Sequence, residues 1–400
     1  MFASAIETVS SPFKTRVPAI AGRGRDVRID AFRGLALVMI FFNHAPGNWM
    51  SGLTLRQFGF SDAAELFVLI SGFTCAAVFG RVFDRQGWRA GTRRLGRRVG
   101  KLYVRHVILI VGLASAVVVA ARAFEDPAYF EMFNLAPLAS DTYGALGQML
   151  LLNYQLPYLN ILPLYIVLLA VFPLTYMLLR VGRFAALAVS IAVYAGAHVF
   201  GWTLTEYPSG NGWFFNPFAW QLLFTVGAAA GMDRPMPVIG RKAHAVLTGL
   251  AATYVGLAVL IAAPWTALPG LEAARLVDWS LVPPMNKSLL SLWRLAHILA
   301  IFHLAVRFVP ASFYRGVMGR TAALLGRHSL DIFCLATVLS FLGMFIFVEL
   351  GRDWPNQLAV NFGGMTIMIL FARRAERRRV VRRAPEATPA TETMAIPAPR

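Results

Sequence analysis

An arginine and a histidine near the amino-terminal end of the chain are spaced so that both lie on one side of a predicted helix. Arg33 and His44 are eleven positions apart in the apolar segment RIDAFRGLALVMIFFNH, about 16 Å along a helix. Because eleven residues are close to three turns, both side chains point to the same side. We predict that Arg33 lies at the cytoplasmic surface and that His44, deeper in the membrane, accepts a proton from a hydroxyl group. The alternative is a structural histidine that hydrogen-bonds a neighbouring helix.

Two carboxylates follow at the start of the next apolar segment. Asp62 and Glu65 are three residues apart and therefore share one face of a helix. Near the outer boundary of the membrane they would orient His44 or hold sugar hydroxyls, so we predict that both are catalytic. The alternative is that Asp62 only caps its helix.

A run of basic residues leads into the third apolar segment. Steps of three and four gather much of its charge on one side of a helix, which suits a polyanion such as the phosphates of coenzyme A. The alternative is ordinary cytoplasmic charge that binds lipid headgroups. The residues predicted to bind substrate here are Arg93, Arg94, Arg97, Arg98 and Lys101.

Three more basic residues fall on the predicted outer side, where few cations are expected. Lys287, Arg294 and His297 are separated by seven and three positions, which puts them on one helix face. An unpaired arginine at the membrane boundary is costly, so a partner is expected. We predict that these residues hold a carboxylate of the substrate. The alternative is that they reach out to the outer headgroups.

These residues require a membrane scaffold. The chain is 57% hydrophobic, has a mean hydropathy of +0.59 and is 14% charged, too few charges for a soluble surface. Its apolar segments are about 20 residues long, enough to cross a bilayer. We predict an all-α, polytopic integral membrane protein with about ten transmembrane helices. They span about 30–42, 62–80, a third ending near 121, 160–179, 184–204, 217–232, 243–263, 288–306, 329–349 and 357–372.

The basic residues set the orientation. In this topology 32 of the 38 Lys and Arg residues fall on the inner side and 6 on the outer, so both termini are predicted to be cytoplasmic. Because the net charge of +18 sits in short runs between apolar segments, we predict no binding of nucleic acid. We expect a flexible leader at 1–28, a membrane domain at 29–372 and a basic, disordered tail at 373–400.

Five ordered segments resemble the OpgC family of bacterial inner-membrane proteins: RDVRIDAFRGLALVMIFFNH, FGFSDAAELFVLISGF, ILPLYIVLL, WFFNPFAWQLLF and LGRHSLDIF. The resemblance runs from about Arg25 to Phe371. The OpgC family is itself similar to membrane-bound acyltransferase family 3, whose Arg, ten residues, His pattern is reproduced by Arg33 and His44. The arginine-rich segment of that wider family is matched more loosely, because its usual proline is Gly100 or Lys101 here.

The resemblance implies transfer of an acyl group, typically succinyl, from a cytoplasmic acyl-CoA to a periplasmic glucan. By this analogy His44 is the acid/base residue, while Arg33 and the Arg93–Lys101 face hold the donor. From their charge and predicted position, and not from the family pattern, Lys287 and Arg294 are candidates to hold the succinyl carboxylate. The expected partners are the lipid bilayer, acyl-CoA and the glucan; no tightly bound cofactor and no metal is expected.

Two other classes of function fit the same residues. A transporter or flippase would use His44, Asp62 and Glu65 as a proton relay, but it would not explain the large basic face. A receptor or scaffold would leave His44 unexplained.

Overall fold

The computed structural model describes residues 26–232, 240–263 and 286–381. Most of the predicted leader and the tail beyond residue 381 lie outside the described residues. The described chain is helical: over these ranges no strand forms, and the only β-type pairing is an isolated bridge between Thr205 and Gly212. The predicted all-α class is therefore confirmed.

The first three long helices carry most of the predicted site. Helix α1 is Val27–Asn43, α2 is Ala63–Cys75 and α3 is Arg81–Ala123. A π-helical turn at Ala76–Gly80 joins α2 to α3. At Gly87 the backbone of α3 takes φ 81°, which bends the helix near its start and favours glycine because it has no Cβ.

The remaining long helices are α4 Ile161–Val181, α5 Arg183–Val199, α6 Pro217–Gly231, α7 Arg241–Ala262, α8 Leu292–Phe308, α9 Val317–Arg327, α10 Ser329–Glu349 and α11 Gly364–Val381. Short helical segments lie at Trp49–Leu53, Leu55–Gln57, Ala128–Met132, Ala136–Ser140, Thr142–Leu150, Ala311–Arg315, Trp354–Leu358 and Ala359–Gly363.

Helix lies over each of the ten predicted spans, and five helical stretches are long and apolar enough to cross a membrane. These five are Ala63–Ala123, Ile161–Val181, Arg241–Ala262, Ser329–Glu349 and Trp354–Val381. A membrane protein is therefore well supported by length and composition. The count of ten crossings and the side of each terminus stay predictions.

Three boundaries differ most from those predicted. α5 ends at Val199, because Gly201 has φ 68°. α11 continues to Val381, past the predicted end at residue 372. Lys287 lies in a turn before α8, because Leu290 has φ 49°, a conformation that a right-handed helix cannot contain. The prediction that Lys287 shares a helix face with Arg294 and His297 is therefore wrong.

Close backbone contacts through glycine hold α1 and α2 in place. α1 packs against α9, where a side chain at Gly34 would collide with the carbonyl oxygen of Ala322. α2 packs against α6, where a side chain at Gly227 would collide with the carbonyl of Leu69. Such close approach is typical of helices that pack through small residues in membranes. It fixes the positions of the two helices from which the site is built.

Candidate active site

Asp62 and Glu65 form the amino-terminal cap of α2. Asp62 Oδ1 accepts the backbone N–H of Ala64 at 2.8 Å, and Glu65 Oε2 accepts the backbone N–H of Asp62 at 3.0 Å. This reciprocal pair is a capping box, which satisfies two backbone donors that the helix leaves free. The capping alternative for Asp62 is therefore observed, and Glu65 shares in it. The catalytic role predicted for each carboxylate stays a prediction.

The same two carboxylates bind two of the predicted outer cations. Lys287 Nζ lies 2.5 Å from Asp62 Oδ2. Arg294 places Nε 2.6 Å and Nη2 2.5 Å from Glu65 Oε1, and its Nη2 is 3.6 Å from Asp62 Oδ2. Glu65 is fully buried and Arg294 nearly so. The partner expected for Arg294 is thus supplied by the protein. Its predicted contact with a substrate carboxylate stays a prediction.

His297 joins this cluster to the chain just before α2. Its Nδ1 lies 3.2 Å from the backbone nitrogen of Ser61 and 2.7 Å from the Ser61 hydroxyl. Because a backbone N–H can only donate, Nδ1 is the acceptor and Nε2 carries the proton of the neutral ring. Gly59 lies flat against this ring, since a side chain there would collide with it. His297 is fully buried, and these contacts orient the start of α2.

His44 stands at the end of α1 beside this cluster. It is the C-cap residue, and its backbone N–H bonds the carbonyl of Ile40 at 3.1 Å. Its ring centre is 4.9 Å from that of Tyr158. The charges of Lys287 and Asp62 lie close enough to act on the imidazole. Its Nδ1 is buried and has no hydrogen-bond partner within the described residues, although the residue as a whole is only half-buried.

Tyr158 is held against His44 in an uncommon backbone conformation. Its φ of 67° is rare for a residue with a side chain and costs on the order of 1 kcal/mol. Burial raises the pKa of Tyr158, and the positive charge of Arg56 partly offsets this. The phenol therefore stays protonated at neutral pH and can donate a hydrogen bond. No sequence pattern predicts a role for Tyr158; the Pro157–Tyr158 pair just before α4 is its only signal.

A network of buried amides fixes the loop that follows His44. Asn48 Nδ2 donates to Asn361 Oδ1 at 2.8 Å. Gln357 donates to the carbonyl of Gly47 at 2.9 Å and accepts the backbone N–H of Trp49 at 3.1 Å. The three amide side chains are buried. The loop is therefore held to the start of the last helical stretch.

The predicted basic face forms one groove of about 540 Å³. Hydrophobic side chains of the π-helical turn, Val78 and Phe79, form part of its wall. The five predicted cations that line it are Arg93, Arg94, Arg97, Arg98 and Lys101. The structure thus brings together every residue predicted for this face. An apolar wall with clustered guanidinium groups can bind a phosphorylated ligand that also carries apolar atoms.

Arg33 of α1 is buried among the neighbouring helices. Its guanidinium donates to the Thr74 hydroxyl and lies 3.9 Å from an oxygen of Asp30. Arg33 and Arg98 both lie close enough to Tyr165 for their charges to act on its hydroxyl. The inner end of α1 and the basic groove are therefore neighbours. Thr74 and Asp30 hold the guanidinium inside the bundle, and the position of Arg33 at the depth of the cytoplasmic headgroups stays a prediction.

The five long apolar stretches are typical of a helical membrane protein by length and composition. The sequence profile of the OpgC protein family matches residues 25–380, so the chain belongs to this family. Searches of curated proteins and of solved structures gave no match. Membership of the OpgC family implies an acyltransferase-type enzyme that acts in glucan modification. The relation to membrane-bound acyltransferase family 3 stays a prediction.

Proposed function

We propose that this protein is a multi-pass enzyme of the bacterial inner membrane that transfers an acyl group, succinyl, from a cytoplasmic acyl-CoA to hydroxyls of a periplasmic glucan. The basic groove carries the proposal. Coenzyme A has a pyrophosphate and a 3′-phosphate, and five cations with an apolar wall match that combination. The transporter alternative does not explain such a groove along the first half of α3.

His44 performs the proton transfer in this mechanism. A glucan hydroxyl gives its proton to the His44 imidazole, and the oxygen attacks the thioester carbon. The C–S bond breaks, and the thiolate of coenzyme A takes the proton back from His44. The ester and the free thiol are the products. The apolar bundle around the site keeps out water, which would otherwise hydrolyse the thioester.

The ten-span topology with both termini in the cytoplasm is part of the proposal. Gly326 touches the backbone of Asp30 at the start of α1, and the neighbouring Arg327 and His328 contact Glu376 in α11 at 3.1 and 2.8 Å. The beginning of α1 and the end of α11 therefore meet at one face of the bundle. This supports an even number of crossings.

Acyl transfer in proteoliposomes tests the proposal. Labelled succinyl-CoA and glucan are supplied to wild-type protein, to His44→Ala and to His198→Ala. His198 is a matched control, because within the described residues its side chain bonds the carbonyl of Tyr194 and packs on the Tyr194 ring, both within its own helix. We expect a loss of about 10²- to 10⁴-fold for His44→Ala, the usual contribution of a general base, and little change for His198→Ala. Near-normal transfer by His44→Ala would overturn the mechanism.

The groove is tested separately by donor affinity. Arg93→Gln with Arg97→Gln removes two groove cations. Arg85→Gln with Arg89→Gln removes two exposed cations of α3 that do not line the groove. At about 1 kcal/mol for each exposed pair, the first double variant should raise KM for acyl-CoA roughly 30-fold. Equal effects of the two double variants would mean that the groove does not bind the donor.

A further inference from the structure

Arg56 is held beside His44 by the loop that leaves α1. It belongs to the 3-10 turn Leu55–Gln57. Two residues earlier, the buried Thr54 donates its hydroxyl to Oδ1 of Asn43 at 2.8 Å. Asn43 is the last residue of α1 and directly precedes His44. The backbone at Arg56 is therefore tied to the end of the helix that carries the catalytic histidine.

The guanidinium of Arg56 lies near two side chains of the candidate site, His44 and Tyr158. Its charge acts on both His44 and Tyr158, and the rings of those two residues are 4.9 Å apart. The Arg56 side chain itself is exposed. A ligand that reached His44 would therefore meet an accessible cation.

Arg56 differs from the other cations of this cluster in having no carboxylate partner. Lys287 is bound to Asp62, and Arg294 is bound to Glu65. Over residues 26–232, 240–263 and 286–381, no ion pair or hydrogen bond engages the side chain of Arg56. A planar guanidinium binds a carboxylate through two parallel hydrogen bonds. Of the three cations, only Arg56 has no carboxylate bound to it in the described structure and can bind one from a ligand.

We propose that Arg56 binds the free carboxylate of a dicarboxylic acyl group while the thioester carbon lies at His44. This inference rests on the proposed acyl transfer and assigns the residue that selects the donor. A succinyl group carries its carboxylate two methylene groups beyond the thioester carbonyl, so that a cation beside His44 can bind it. An acetyl group has no carboxylate and gains nothing from Arg56.

Donor selectivity tests the assignment. The ratio of kcat/KM for succinyl-CoA to that for acetyl-CoA is measured for wild-type protein, Arg56→Gln, Arg56→Lys and Arg122→Gln. Arg122 is a matched control, because it is an exposed arginine at the predicted outer end of α3. We expect Arg56→Gln to lower the ratio about 10- to 100-fold, as for the loss of a hydrogen bond between charged groups. Arg56→Lys should keep part of the ratio, and Arg122→Gln all of it.

The possible failures are distinguishable. If wild-type protein transfers acetyl but no dicarboxylic acyl group, or if Arg56→Gln changes both donors equally or neither, the assignment of Arg56 is wrong while acyl transfer stands. If wild-type protein transfers no acyl group from any donor, the proposed function itself fails, and this inference fails with it. Selectivity for succinyl-CoA that is lost in Arg56→Gln supports both the proposed acyl transfer and the assignment of Arg56.

Discussion

Replacing Glu65 by glutamine should destabilise the protein, because it leaves Arg294 without its main counter-ion. Glu65 is fully buried and accepts two contacts from the Arg294 guanidinium, at 2.5 and 2.6 Å. Removing one member of a buried ion pair costs about 3–5 kcal/mol. Asp62, 3.6 Å from the same guanidinium, retains part of the attraction. We therefore expect a loss of about 2–3 kcal/mol in the free energy of unfolding.

A double-mutant cycle isolates the pair from other effects of the substitution. Glu65→Gln, Arg294→Gln and the double variant are unfolded reversibly in detergent micelles, with tryptophan fluorescence as the signal. Since the two side chains are in direct contact, their coupling should be about 1–3 kcal/mol. The double variant should then be more stable than the sum of the single losses implies. Additive losses would refute the ion-pair argument.

An exposed ion pair in the same protein provides the control. Arg105 and Asp331 are bonded, but their side chains are 41% and 37% exposed. Water screens such a pair, so it contributes about 0–1 kcal/mol. Asp331→Asn should therefore cost much less than Glu65→Gln. If the two substitutions cost the same, burial is not what makes the Glu65 pair important.

Three further predictions concern the loop, the helix packing and the topology. Asn361→Ala should loosen the loop after His44. It should therefore lower the rate of acyl transfer about 10-fold with little change in KM for acyl-CoA. A change in KM alone would contradict this prediction. Gly227→Val should prevent stable folding, seen as loss of the monodisperse peak in gel filtration, because it pushes α6 from α2. Protease applied to intact spheroplasts should spare tags at both termini and cut a tag at Asn211.

The positions of the helices could be predicted because hydropathy is a local property. Each predicted span is covered by helix, since about 20 consecutive apolar residues have few other stable arrangements in a membrane. The ends were less predictable. Leu290 is an ordinary apolar residue in the sequence. Its φ of 49° nevertheless keeps the residues before it out of α8, which begins at Leu292. Such a conformation is imposed by tertiary contacts, and its residue type gives no sign of it.

The sequence predicts which residues belong to the candidate site, but it does not predict which of them contact each other. Asp62, Lys287 and Arg294 were singled out by charge alone, because charged residues at a membrane boundary are rare. Their partners are more than two hundred positions away in the chain, a separation at which no local pattern acts. Tyr158 was missed for the same reason, since only the fold brings its ring to His44.

The basic residues on the predicted outer side are of two kinds: those that a protein carboxylate neutralises and those that none does in the described structure. A cation on the outer side needs a reason to be there. Lys287 and Arg294 have one within the protein, because two carboxylates of the α2 cap neutralise them. Their charges cancel, so they add no net positive charge beside His44. Arg56 is not cancelled in the described structure, and its excess positive charge would attract an anionic acyl group to the histidine.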